Sequence, residues 1–185
     1  MTIGGKSQGP RTGGLKAGRK HAFDQVKDLT PSIEVERRLN MEYGVESELY
    51  QDLSRLITLG VKEGWAADGE LAGPRYRRSL LVTPCAESFF FSVTAVLLDS
   101  TDNSQNNPEG SFRGGYHLHP YGEFNLIVPL NKGAALAGPN GWCYGGWTVP
   151  APGSHHFPEV KGGAVISLTF LPAGRIALDV KPPQL

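Results

Sequence analysis

GGYHLHPYGEFNLIVP, residues 114–129, is the stretch of sequence that decides the fold. His117 and His119 are two residues apart, so their side chains lie on the same face of a strand. Glu123 has the same parity and follows the turn Pro120-Tyr121-Gly122. The stretch therefore predicts two strands whose polar face carries His-x-His and a carboxylate, while the opposite face packs in a core. The apolar positions of opposite parity are Phe124, Leu126 and Val128.

Short strands are also predicted on both sides of this stretch, from about residue 76 onward. With 24 glycines and 14 prolines, the chain has many turn-forming residues, and short strands separated by such turns are typical of a barrel or sandwich. Pro139-Asn140-Gly141 predicts a hairpin turn. The predicted strands are 79–83, 89–98, 114–119, 123–130, 142–149, 163–171 and 174–180.

A helical lead-in is predicted over residues 23–66. Thr30 is expected to cap the first helix, with Pro31 at its first position and Gly44 at its end. A second helix over 46–63 carries a leucine-rich apolar stripe. Both helices are expected to pack against the outside of a sheet. Residues 1–22, rich in Gly, Lys and Arg, are predicted to be a disordered leader, and 67–185 to form the barrel of a single domain.

The bulk composition excludes several classes of protein. Eighteen Lys and Arg residues balance 18 Asp and Glu residues, so the net charge favours neither a nucleic-acid nor a membrane partner. No apolar run is long enough for a membrane-spanning helix, and the N-terminus lacks the apolar part of a secretory signal. We therefore expect a cytoplasmic protein whose two cysteines, Cys85 and Cys143, are buried free thiols.

A second histidine pair completes a candidate metal site. Pro152-Gly153 forms a turn that presents His155 and His156 at the start of another strand. Adjacent strand residues face opposite sides, so only one of the two reaches a shared metal, and spacing leaves the choice open. Imidazole and carboxylate are ligands that a divalent transition metal prefers. The alternative is a barrel interior of hydrogen-bonded histidines without metal.

These motifs resemble those of the cupin superfamily. The first cupin motif supplies two histidines and a glutamate, which here are His117, His119 and Glu123, and the second supplies one histidine, here His156. The second motif departs from the family pattern at Ala151 and Val160. The resemblance implies a mostly β, cupin-type barrel (a double-stranded β-helix or jelly roll), helices packed outside, and bound Fe, Mn, Ni, Co or Zn. It also implies a homodimer.

A closer resemblance covers most of residues 30–180. GEFNLIVPLNKGAALAGPNGW at 122–142 and GWTVPAPGSHHFPEVKGGAVISLTFLPAGRI at 146–176 are similar to the bacterial 4-hydroxylaminobenzoate lyases of nitroaromatic breakdown. This resemblance implies a carbon–nitrogen lyase that forms 3,4-dihydroxybenzoate and ammonia. The alternatives are another cupin metalloenzyme, such as a dioxygenase or isomerase, and a non-enzymatic binder of small molecules.

An aromatic carboxylate substrate needs a cation and a flat apolar wall. His155 or Tyr121 is the candidate general acid. Spacing does not choose among the candidate cations or walls. For the tryptophans the alternative is ordinary core packing, and for Arg75, Arg77 and Arg78 it is a charged strand edge. The candidate cations are Arg113, Arg175, Arg75 and Arg77, and the candidate walls are Trp142, Trp147, Tyr116, Tyr121 and Phe157.

Overall fold

A computed structural model describes residues 22–101, 110–178 and 180–182 of the protein. Within those residues the chain is mostly β, with twelve strands that pair only antiparallel to one another. The strands are β1 Gly69–Glu70, β2 Tyr76–Val82, β3 Phe91–Asp99, β4 Ser111–Arg113, β5 His117–His119, β6 Phe124–Pro129, β7 Ala135–Gly138, β8 Gly141–Cys143, β9 Gly146–Thr148, β10 Ser154–His156, β11 Glu159–Lys161 and β12 Ala164–Pro172.

Three sheets enclose the interior. The largest has the order β1-β2-β3-β12-β6-β9, the second the order β4-β11-β7-β8, and the third pairs β10 with β5. Side chains of the first two sheets meet in an apolar cluster, in which Ile127 and Val165 pack with Leu136 and Val160. The predicted mostly β fold is confirmed, and sheets that face each other around an interior fit the predicted cupin-type arrangement.

Two helices cover the outer face of the six-stranded sheet: α1 Ile33–Tyr43 and α2 Glu48–Glu63. Leu53 and Ile57 of α2 are buried in one core with Phe124 and Leu126 of β6. The prediction that both helices pack outside a sheet is confirmed. Residues 22–26 form a further helical turn at the start of the predicted helical lead-in. The predicted leader lies outside the described residues except for Ala22, which is buried.

The start of α1 differs from the prediction. The cap is Ser32, whose hydroxyl accepts a hydrogen bond from the Val35 N–H at 3.2 Å, and not Thr30. Both residue types cap helices, but Pro31 is buried beside Gly122, where a Cβ added to the glycine would lie 2.7 Å from the proline Cβ. The helix therefore begins after this contact. Its end at Gly44 is as predicted.

Glycines divide two of the predicted strands. Gly114 interrupts the strand expected at 114–119, because its N–H donates to the Pro158 carbonyl and a Cβ there would meet Tyr76. Gly145, which has a positive φ, lies between β8 and β9, and Gly146, also with a positive φ, begins β9. The hairpin turn before Gly141 is confirmed, since β7 pairs with β8 across it.

The prediction of a C-terminal strand at 174–180 is wrong for the residues that the structure describes in that range. Residues 174–178 make only an isolated bridge, in which the backbones of Ala177 and Leu118 exchange two hydrogen bonds of 2.9 Å. The strands β7 and β11 were not predicted. Three or four residues are too few for an alternating pattern to stand out, so their pairing depends on the neighbouring strands.

The structure bears on two expectations drawn from composition. Cys85 and Cys143 are both free thiols, although each is half-buried rather than fully buried. Among the residues described, no helix has the length and apolar character needed to span a bilayer.

Glu36 of α1 joins the helix to the barrel, and its removal is expected to destabilise the fold. Its carboxylate accepts hydrogen bonds from the Val149 N–H at 2.8 Å and from the Asn140 side chain at 2.6 Å. Glu36→Ala leaves the buried Val149 N–H without a partner, so we expect a loss of about 2–4 kcal/mol in the free energy of unfolding. Urea denaturation measures it. Glu34→Ala, an exposed glutamate of the same helix, should cost less than about 1 kcal/mol, and equal losses would contradict the assignment.

Candidate metal centre

The paired strands β5 and β10 position three histidines on one face. In the antiparallel register His156 lies opposite His117, and Ser154 lies opposite His119. His117 and His119 are buried and His156 is half-buried. The His-x-His parity predicted from sequence therefore holds, and the strand pairing adds the third histidine to the same face.

The ligand atoms of these side chains lie close enough to share one ion. Nε2 of His117 is 3.1 Å from Nε2 of His156, and one ligand atom from each of the three histidines lies within 4.8 Å of the others. The Glu123 Oε1 atom is 3.4 Å from Nε2 of His119 and 4.0 Å from Nε2 of His156. Ligands at about 2 Å from a common metal are themselves about 3–4 Å apart. The buried group can therefore hold a metal ion.

The tautomer of His117 is fixed by the backbone. Its Nδ1 lies 2.9 Å from the carbonyl oxygen of Gly115, which can only accept, so Nδ1 carries the proton. In a neutral imidazole the lone pair is then on Nε2, the atom that faces His156. Such a backbone partner on the distal nitrogen is typical of metal-binding histidines.

His119 argues against the alternative of hydrogen-bonded histidines without metal. Its side chain is 1% exposed, and neither ring nitrogen has a hydrogen-bond partner among the residues described. Leaving a buried polar group unpaired costs about 1–3 kcal/mol. A cation beside Nε2 of His119 would remove part of this cost.

Burial also sets the protonation states that a metal site needs. Burial lowers the pKa of His119 to about 3, with the positive charges of neighbouring His117 and His156 acting in the same direction. It lowers the pKa of His156 to about 4 and also lowers that of His117. All three imidazoles are therefore neutral near pH 7 and available as ligands. Burial raises the pKa of Glu123 to about 7, against the effect of Asn125, and a bound cation would favour the carboxylate.

A cavity of about 280 Å³ opens from this cluster, between the sheets. Its floor on the six-stranded sheet is a polar row, in which Asn125 Oδ1 accepts from the Thr169 hydroxyl at 2.7 Å and the Asn125 amide lies 3.4 Å from Thr148 Oγ1. Its walls are largely aliphatic. This size is close to the lower end of small-molecule pockets, about 300–1,000 Å³. The aliphatic lining consists of Leu71, Val96, Leu98, Leu136, Ala137, Leu171, Ile176 and Leu178.

The two candidate general acids lie outside the cavity. His155 is exposed on the face of β10 opposite to His156, where its Nδ1 contacts the hydroxyl of Tyr116. Tyr121 is 53% exposed and lines a separate depression beside Pro31. The structure therefore places His156, and not His155, with the other histidines. Tyr116 does line the cavity.

Most of the candidate substrate-binding residues are also elsewhere. Arg113 is exposed and pairs with Glu159 at 2.8 Å, and Arg175 is exposed in the turn after β12. Trp142 is 37% exposed and lies beneath the Lys161 ammonium. Trp147 is buried on the outer side of the six-stranded sheet, where Nε1–H donates to the Tyr43 carbonyl at 2.8 Å. None of the four lines the cavity that holds the histidines.

Two residues that the sequence analysis did not place in the site do line the cavity: Tyr76 and Arg78 of β2. Both have the same parity on β2, and Arg78 lies opposite Val96, another lining residue. The signal available in the sequence was this alternation, Tyr-x-Arg. It did not identify the site because nothing local shows which face of β2 is interior.

Comparison with known proteins gives one family. The family model described as PnbB, 4-hydroxylaminobenzoate lyase, matches residues 18–178. A 4-hydroxylaminobenzoate lyase of Pseudomonas putida is 57% identical over 155 residues, covering 84% of this chain and 88% of the relative. A 4-hydroxylaminobenzoate lyase of Nocardioides sp. (strain LMS-CY) is 53% identical over 161 residues, covering 87% and 90%.

Among solved structures, a chain described under "Crystal structures of DMSP lyases RdDddP and RnDddQII" is 15% identical, with a TM-score of 0.41. The match covers 92% of this chain and all of the other.

Proposed function

Since the chain belongs to the 4-hydroxylaminobenzoate lyase family, we propose that it is a metal-dependent enzyme that converts 4-hydroxylaminobenzoate to 3,4-dihydroxybenzoate and ammonia. The observation that carries the metal dependence is His119, a buried imidazole with no hydrogen-bond partner among the described residues, facing Glu123 and two other neutral histidines.

The proposed reaction balances with water as its only co-reactant. The N–O bond of the hydroxylamine breaks and its oxygen leaves as water. One water oxygen bonds to the ring carbon next to the nitrogen-bearing carbon, which loses its proton as the ring becomes aromatic again. A second water oxygen replaces the nitrogen, which leaves as ammonia, so that one water is consumed overall. Nitrogen is reduced while the ring is oxidised, so no external oxidant or reductant is needed. The enzyme must therefore hold a flat substrate, supply protons to the leaving groups and admit water.

His117, His119, His156 and Glu123 would hold the metal. When bound, a divalent transition metal supplies Lewis acidity and an activated water. An octahedral ion held by three imidazoles and one carboxylate would keep two positions for water or substrate.

Tyr76 is the proposed proton donor. Its phenol lines the same cavity, and burial raises its pKa, with Arg78 acting in the opposite direction and Glu123 in the same direction. The phenol therefore keeps its proton at neutral pH and can donate it from Oη to a leaving oxygen. The polar row beside Asn125 offers hydrogen bonds to an incoming water.

An anaerobic turnover assay tests this function. Purified protein with 4-hydroxylaminobenzoate should release ammonia and 3,4-dihydroxybenzoate in equal amounts without oxygen. Dialysis against a chelator should remove the activity, and one added divalent ion should restore it. A requirement for oxygen would show a dioxygenase instead. Saturable binding without product would show a binder, and full activity of chelated, metal-free protein would contradict the metal dependence.

A further inference from the structure

We propose that Arg78 binds the carboxylate of the aromatic substrate and thereby selects rings that carry a carboxylate. This inference rests on the proposed function, and it names a residue that sequence analysis assigned to a charged strand edge.

Arg78 is placed on the inner face of the sheet by strand register. It pairs with Val96 of β3 on one side and with Gly69 of β1 on the other. Val96 and Tyr76, which share its face, also line the cavity. In the part of the chain that the structure describes, Arg78 is the one lysine or arginine among the lining residues.

The guanidinium of Arg78 has no carboxylate partner among the residues described. Other arginines are engaged: Arg113 pairs with Glu159, and Arg75 donates to the Asp99 carbonyl at 3.0 Å and lies over Phe112. An unpaired guanidinium beside aliphatic walls is suited to a planar, bidentate carboxylate.

The difference in burial between the histidines and Arg78 fits a para-substituted ring. His119 is fully buried, whereas Arg78 is exposed, so the metal-binding end is deep and the cationic end is at the mouth. Tyr76 is two residues from Arg78 on the same face of β2 and lines the same cavity as the histidines. A rigid ring with hydroxylamine and carboxylate at opposite positions spans this axis, with the reacting nitrogen at the histidines.

The test is Arg78→Met, assayed with 4-hydroxylaminobenzoate and with phenylhydroxylamine, which has the same reacting group and no carboxylate. We expect kcat/KM to fall about 10- to 100-fold for the carboxylate substrate, mainly through KM, and to stay unchanged for phenylhydroxylamine. Metal content should not change. Arg55→Met, an exposed helix arginine paired with Asp52, is the control and should resemble the wild type.

Equal losses on both substrates, or no loss, would overturn the assignment, as would the same selective loss in Arg113→Met or Arg175→Met. A binding arm separates this inference from the proposed function. Calorimetry with 3,4-dihydroxybenzoate and with catechol should show that Arg78→Met weakens only the carboxylated ligand. If the wild type binds selectively but forms no product, the reaction is wrong and the Arg78 assignment stands. If the wild type forms the product and Arg78→Met still prefers the carboxylated ligand, the proposed reaction stands and the Arg78 assignment is wrong.

Discussion

The double variant His117→Ala/His119→Ala should contain no bound metal and should lose about a thousandfold in turnover. Two of the four proposed ligands disappear, and the remaining His156 and Glu123 are too few to hold a divalent ion against dialysis. A metal that polarises the substrate lowers the activation barrier by several kcal/mol, and losing about 4 kcal/mol of this stabilisation slows turnover about a thousandfold. Elemental analysis and ammonia release measure the two effects. Full turnover by the metal-free variant would contradict the proposal that the enzyme uses a metal.

Stability gives a second readout that does not depend on turnover. Added metal should raise the melting temperature of the wild type, since a ligand at a thousand times its Kd stabilises by about 4 kcal/mol. The double variant should show no such shift. His155→Ala is the matched control, because His155 is next to His156 but on the other face of β10. It should keep both its metal and the melting shift. Loss of metal in His155→Ala would contradict the ligand set.

Trp147→Ala should have the largest effect on stability, about 3–5 kcal/mol in the free energy of unfolding. The indole is 1% exposed, packs against Phe170 and donates Nε1–H to the Tyr43 carbonyl at 2.8 Å. Removing it leaves a cavity between α1 and the six-stranded sheet and an unpaired carbonyl. Guanidinium denaturation measures the loss, and Trp142→Ala, at a half-exposed tryptophan, should cost less than about 1 kcal/mol.

Trp147→Phe separates core packing from substrate contact. It keeps an aromatic ring and removes the hydrogen bond, so it should destabilise by about 1–2 kcal/mol while KM for the substrate stays unchanged. KM should not move because Trp147 does not line the cavity of the histidines. A raised KM in a variant of nearly normal stability would instead favour Trp147 as a wall of the substrate site.

The local sequence pattern was enough to predict the strands with strong alternation and the C-terminal ends of the two helices. The apolar parity at Phe124, Leu126 and Val128 correctly predicted the face that the helices cover. Gly64 ends α2 with a left-handed φ of 74°, as a terminal glycine should. Short strands such as β7 and β11 could not be predicted, since three or four residues carry too little alternation and pair only because neighbouring strands are in place.

The candidate substrate residues show a different limit. Arg78, Arg113 and Arg175 are the same residue type, and their positions in the fold distinguish them. Arg113 meets Glu159 from a strand 46 residues later, whereas Arg78 faces the cavity because β2 pairs with β3 in one register. A shift of one residue would reverse which side chains of β2 face inward.

By itself, the sequence determined that His117 and His119 share one face, because side chains alternate along a strand and these two are two residues apart. Glu123 lies beyond the turn at 120–122, so its approach to His119 depends on the fold. The sequence also determined the family, since similarity extends over most of the chain. Residue spacing left His155 and His156 open and the resemblance implied His156, which the tertiary structure places beside the other histidines. Only the tertiary structure decided that Arg78 lines the cavity and that Trp147 does not. Those outcomes depend on register between strands far apart in the chain, and residue spacing along one strand carries no information about it.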